Sequence, residues 1–207
     1  MVLLNATRSG DEIMSLKHAL LGVLAARPMS GYELSQFFDS STGWVWTATH
    51  SQIYPLLGKM QAEGAITCEN KIRGTKLNRK IYSITPAGMS ELLEWVRTAH
   101  SSSGSRDPLL TQALLFDMID PEEAALILQN YIVEQENIAQ ESRAHSRQLA
   151  AKVTPLLKER LKNRPAGDHD RIARLKAHVF EGQAMMADTR VAWAHDELRL
   201  LRQPDRP

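Results

Sequence analysis

The sequence has little of what exported, membrane-bound or catalytic proteins are built from. A single cysteine, Cys68, among 207 residues allows neither an intrachain disulfide nor a four-cysteine metal site. That excludes small secreted disulfide scaffolds and points to a reducing compartment, so the expected location is the cytoplasm. No run approaches the roughly 20 apolar residues of a membrane span. Asp11 and Glu12 interrupt the stretch where a signal peptide would need continuous apolar residues. There is no G-x-S-x-G, G-x-G-x-x-G, P-loop or H-E-x-x-H motif, so nothing supports an enzyme and no cofactor is expected. The seven histidines show no paired metal spacing, and Asp168-His169-Asp170 reads as a polar inter-helix loop with capping carboxylates, so no metal is expected.

What is present is ordinary in bulk and uneven in distribution. Apolar residues make up 43% and charged residues 24%, as in chains that bury a core. At roughly 150 residues per domain, the length allows a compact domain plus an extension. The net charge of +1 hides an asymmetry. From Thr49 to Ile84, Lys59, Lys71, Arg73, Lys76, Arg79 and Lys80 face only Glu63 and Glu69, a net of +4. From Asp107 to Ala150, eight acids stand against Arg143 and Arg147, a net of −6. A basic face confined to the first half is what a polyanion-binding surface requires.

Leu16, Ala19, Leu20, Val23 and Leu24 form one helical stripe that ends before Pro28. Ser30 and Glu33 form a capping box opening a second helix with Leu34, Phe37 and Phe38, and Asp39 to Ala48 reads as a loop. A third helix buries Ile53, Leu56, Leu57 and Met60, its cap being Thr49 or Ser51 because Pro55 is awkward deep inside a helix. Its opposite face carries Ser51, Pro55, Gly58 and Ala62, flanked by Gln52, Lys59 and Tyr54. Strands are predicted at 65–70 and 79–85, with Tyr82 and Ile84 on one face and a basic tip between them. Thr85-Pro86 opens a fourth helix with Met89, Leu92, Leu93 and Val96 inward.

Residues 100–107 have linker composition. The remainder is almost wholly helical, with a long helix from Pro121, a break at Pro165 to Asp168, and a last helix from about Asp170 to Leu201. Along that last helix Ile172, Leu175, Val179, Gly182, Met186, Thr189, Trp193 and Leu200 trace a seam of the kind used for pairing. The expected fold is mainly α: an N-terminal winged helix-turn-helix with a two-stranded wing, then an all-helical C-terminal dimerisation domain. The expected divisions are a disordered leader or misassigned start at 1–13, a DNA-binding domain at 14–99, the linker, and a helical domain at 108–203.

Leu16-Lys-His-Ala-Leu-Leu-Gly22, Ser30-Gly-Tyr-Glu-Leu34, Gln52-Ile-Tyr-Pro-Leu56, Glu63-Gly-Ala-Ile66 and Arg79-Lys-Ile-Tyr-Ser-Ile-Thr-Pro-Ala-Gly88 occur in that order. In content and spacing they resemble the PadR family of bacterial transcriptional regulators. The resemblance covers roughly Leu16 to Arg97, and the longer helical C-terminus is similar to that of part of the family. It implies a homodimeric regulator, expected to be a repressor, that sets helix three in the major groove of an inverted-repeat operator and the wing along the backbone. The DNA-binding residues expected on this basis are Thr49, His50, Ser51, Gln52, Tyr54, Lys59, Arg73, Lys76, Arg79 and Lys80. Gln suits an adenine edge, Lys a guanine or phosphate, and the Tyr hydroxyl a phosphate oxygen. Leu175, Val179, Met186 and Trp193 are expected at the dimer interface.

In some members of the family a small aromatic molecule releases the DNA, and Trp44, Trp46, Trp95 and Tyr131 are the residues such an effector would stack on. Their other reading is domain and dimer packing. Cys68 reads as a small buried hydrophobe, the alternative being a redox sensor. The rival to a regulator is a winged-helix adaptor that binds protein, for which the basic wing would have no use.

Overall fold

A computed structural model of the protein describes residues 16–41, 50–73, 77–99 and 108–202, with side chains except at 39–41, 71–73, 77 and 78. In chain order the elements are α1 (16–24), β1 (Met29–Ser30), α2 (Gly31–Ser41), α3 (His50–Ala62), β2 (Ile66–Arg73), β3 (Leu77–Ile84), α4 (Pro86–Arg97), α5 (Pro108–Ala113), a 3-10 turn (Phe116–Met118), α6 (Pro121–Ala150), α7 (Pro155–Lys162), a second 3-10 turn (Ala166–Asp168) and α8 (His169–Leu201). They divide into two compact units, residues up to 99 with Thr154–Gly167, and 100–153 with 168 onward. The predicted leader and linker lie outside the described residues.

The first unit is a winged helix-turn-helix. Helices of 11 and 13 residues are marginal alone, so their stability comes from a shared apolar face. Leu20, Leu21 and Leu24 of α1, Leu34 and Phe38 of α2, and Ile53, Leu57 and Met60 of α3 bury together. The predicted capping box is formed: the Ser30 N–H donates to Glu33 Oε2 at 2.8 Å and the Glu33 N–H to Ser30 Oγ at 3.3 Å. Helix α2 runs to Ser41, past the predicted loop start, and α3 opens at His50, so Pro55 lies inside it. The missing Pro55 N–H deprives only the Ser51 carbonyl of its intrahelical donor.

Gly64, at φ +74, closes α3 with the Ala65 N–H bonded to the Met60 carbonyl at 2.9 Å and the Gly64 N–H to that of Gln61 at 3.1 Å. The sheet that follows has three strands in the order β1-β3-β2, one more than the expected wing. The two extended residues after Pro28 occupy the outer edge of β3, pairing Met29 with Tyr82 and Ser30 with Ile81, which satisfies backbone groups that an edge leaves open. Strands β2 and β3 also run further than predicted, to Arg73 opposite Leu77, because the ladder is made by backbone and polar side chains do not interrupt it.

Helix α4 is rolled by one residue from expectation. Of the four residues expected inward, Met89 and Leu92 are partly buried but Leu93 and Val96 are exposed, and Gly88, Glu91 and Trp95 turn inward instead. The cause is backbone contact. Thr85 caps α4 by accepting the Gly88 N–H at 3.0 Å and donates its hydroxyl to the Gly64 carbonyl at 2.7 Å, and a Cβ on Gly88 would lie 2.1 Å from the Ala65 carbonyl oxygen. Only glycine lets the helix approach so closely.

Residues 154–167, which the sequence places with the C-terminal helices, belong to the first unit. Leu156 of α7 packs on its core and Arg160 Nη2 donates to the Gly22 carbonyl at 2.5 Å. Eight residues of helix carry too little periodicity to announce this docking.

In the second unit α6 and α8 run antiparallel, since Tyr131 meets Trp193 while Ser146 Oγ donates to the Ala177 carbonyl at 3.0 Å. Helix α6 opens as predicted at Pro121, with the Asp120 side chain accepting the Glu122 N–H. It buries Leu128, Ile132, Gln135, Ala139, Ser142 and Leu149, and α8 buries Ala173, Ala177, Ala184, Ala187, Ala194 and Leu198. Small side chains let the two axes come close. The seam expected on α8 lies on the other side of the helix: Leu175, Val179, Met186 and Leu200 are 56–60% exposed. No helix among the described residues is long and apolar enough to cross a membrane.

Candidate nucleic-acid interface

Helix α3 divides cleanly. Ile53, Leu56, Leu57 and Met60 are buried, and His50, Ser51, Gln52, Tyr54, Pro55, Gly58 and Lys59 are exposed. The exposed half therefore holds a carboxamide, a hydroxyl, an imidazole, a phenol and an ammonium group along one rigid element. Tyr54 is held from two sides. Its ring stacks on His50 with centroids 6.2 Å apart and planes at 16°, and a Cβ on Gly31 would come within 2.7 Å of its Cε1. Glycine at the start of α2 thus makes room for the aromatic ring of α3.

The C-terminal end of α3 is fixed by a charge network. Lys17 Nζ lies 2.7 Å from Glu63 Oε2 and 2.6 Å from Glu91 Oε1, joining α1, the end of α3 and α4. Burial acts to lower the Lys17 pKa, but hydrogen bonds to Glu63 and Glu91 outweigh it and the net shift is upward. Lys59 stands 3.8 Å from Glu63, and the Lys17 hydrogen bond, opposed by slight burial, holds the Glu63 carboxyl below its usual range. Buried His18 stacks flat on Trp95, centroids 4.7 Å apart, with its Nε2 3.6 Å from Glu91 Oε1. Nothing in the sequence singles out Lys17 or Glu91. Their partners lie dozens of residues away, so no local pattern marks them.

On the wing, Lys80 is exposed, while Arg79 is half-buried and turned to the protein, its Nη2 donating to Ser30 Oγ at 3.0 Å and standing 3.1 Å from Glu33 Oε2. Thr49, Lys76, Trp44, Trp46 and the Arg73 side chain lie outside the described residues. Of the remaining aromatic candidates, Trp95 packs on His18 in the first unit and Tyr131 meets Trp193 edge to face, 6.4 Å between centroids, in the second. Cys68 is half-buried opposite Tyr82, whose hydroxyl pKa is raised by burial and then by the nearby thiol. Among the described residues no group of three His, Cys, Asp or Glu could hold a metal ion.

This arrangement has known counterparts. Residues 20–94 match the family model described as the transcriptional regulator PadR-like family. The chain is 32% identical over 142 residues to the negative transcriptional regulator PadR of Bacillus subtilis, covering 68% of this chain and 78% of that protein. The chain belongs to the PadR-like family of transcriptional regulators. Its fold is similar to that of Bacillus subtilis PadR in complex with operator DNA, with a TM-score of 0.70 and 26% identity over 90% of this chain and 99% of that one. It is also similar in fold to the same protein in complex with p-coumaric acid, with a TM-score of 0.65 and 24% identity over 91% and 99%. PadR-like proteins are transcriptional regulators, a non-enzymatic family.

Proposed function

We propose that the protein is a cytoplasmic, sequence-specific DNA-binding repressor that acts as a homodimer on an inverted-repeat operator. The observation that carries this reading is the split of α3, whose exposed half holds groups suited to base edges and phosphates over a fully buried apolar half. Ser51 and Gln52 read bases, Tyr54 and His50 position the helix, and Lys59 and Lys80 supply phosphate contacts. Thr49, Arg73 and Lys76 are assigned to the same surface from the sequence. The likeness to a relative whose structure contains operator DNA supports the assignment, and that relative's being a negative regulator supports repression.

The exposed face of α8 with Leu175, Val179 and Met186, continued by half-buried Trp193, is assigned to dimerisation, because so much apolar surface on one helix is seldom left to water. The helical unit is accordingly the dimerisation domain. A small aromatic effector is proposed from the relative bound to p-coumaric acid, with Trp95 of the first unit and Tyr131 of the second as separate stacking candidates and Trp44 and Trp46 as candidates from the sequence alone.

The test is selection of duplexes from a randomised pool, followed by fluorescence anisotropy over a salt series. Enrichment of a two-fold-symmetric site, bound far more tightly than unrelated duplex and with a steep negative salt slope, is the expected outcome. Lys59→Ala should shallow that slope by about 1 for each phosphate that the ammonium group neutralises. Failure to enrich any sequence would overturn the reading in favour of a protein-binding adaptor.

A further inference from the structure

Arg79 belongs by sequence to the basic wing, yet its guanidinium closes a contact at the root of the helix-turn-helix. Nη2 reaches two acceptors, Ser30 Oγ at 3.0 Å and Glu33 Oε2 at 3.1 Å. The same carboxylate oxygen accepts the Ser30 N–H at 2.8 Å and the Ser30 hydroxyl at 2.9 Å, and Arg27 Nη1 stands 3.7 Å from Oε1. One turn of helix therefore touches both halves of the interface. Its cap is gripped from β3 by Arg79, and its first residue, Gly31, lies against the Tyr54 ring on α3.

We propose that Arg79 is a positioning residue of the DNA interface and not a phosphate contact: with Glu33 and Ser30 it clamps the root of the wing to the first turn of α2 and so sets the wing relative to α3. A single guanidinium nitrogen meets the hydroxyl and the carboxylate together, and it sits one atom further from the backbone than a lysine ammonium and on a stiffer end group, so lysine does not reproduce its position. The Glu33 carboxyl is shaped for the same task. Burial acts to raise its pKa, but the Ser30 N–H and hydroxyl, then Arg79 and Arg27, outweigh it, so the net shift is downward and it stays ionised.

The clamp rests on the DNA-binding reading above, and charge separates it from a direct contact. Glu33→Gln keeps the capping box, since Gln also caps, but weakens the hold on Arg79 while removing one negative charge, which raises the net charge by one. Arg79→Lys keeps the charge and ends one atom short of the position that Nη2 holds. Both variants are measured in the full-length protein against a duplex selected by the wild type and against unrelated duplex, with thermal melts confirming that each is folded.

The clamp predicts that each variant loses roughly threefold to tenfold in affinity for the selected duplex. It also predicts an unchanged salt slope, unrelated duplex bound as before, and a double variant no worse than the weaker single one. Tighter binding by Glu33→Gln, wild-type binding by Arg79→Lys, or a slope reduced by about 1 per arginine in Arg79→Ala would overturn it. A wild type that selects no duplex would overturn the DNA-binding reading and the clamp with it, whereas one that selects a duplex while the variants misbehave would overturn the clamp alone.

Discussion

At the scale of single residues, glycines mark where the backbone has no room for a side chain and where it has plenty. A methyl group on Gly88 would stand 2.1 Å from the Ala65 carbonyl oxygen, a backbone atom that cannot move aside without shifting β2, whereas one on Gly58 would meet nothing within 4 Å. Gly88→Ala is therefore expected to destabilise the protein by about 2 kcal/mol or more despite alanine's better helix propensity. Gly58→Ala should stabilise it by about 0.5–1 kcal/mol. Urea unfolding of both compares the two signs directly, and equal midpoints would refute the close approach of α4. The sequence made the Thr85 cap legible, since a cap is a relation among residues three apart. The roll of the helix it opens was not legible, because Ala65 sets that roll from the turn before β2.

At the scale of elements, α6 and α8 were legible as long helices because nothing in either sequence interrupts them. Which face each buries was not, because α8 carries two apolar seams on opposite sides, one of alanines and one of larger residues. The alanines win the partner within the chain by allowing the closer approach. The choice leaves a pH signature. His145 of α6 packs its ring 4.4 Å from that of Phe180 on α8, and burial lowers its pKa. A histidine depressed in the folded state takes up a proton more readily when unfolded, so stability should fall as pH drops through the unfolded value near 6.5. Thermal melts between pH 7.5 and 5.5 should show this fall, and His145→Gln should flatten it. An equal fall in the variant would assign the effect to another group. The capping box, the wing and α3 were legible in the same local way, with β1 and α7 as the additions that depend on distant partners.

At the scale of the whole molecule, the exposed seam of α8 is the surface through which two copies are proposed to pair. Val179→Glu combined with Met186→Glu should convert dimer to monomer at micromolar concentration by light scattering. It should also weaken operator binding by at least tenfold through loss of the second half-site, while leaving the fold by circular dichroism intact. A variant that remains dimeric would move the interface elsewhere. Charge asymmetry, capping boxes, apolar periods and family motifs are relations among near neighbours, so the sequence by itself determined the kinds of element, their order and the family to which they belong. Tertiary packing alone settles that Arg79 turns inward, that Lys17 bridges helices and that α7 docks on α1. Those contacts join residues 49, 46 and 138 positions apart, and a side chain's partner at such distances is set by packing of the whole unit and by no local pattern.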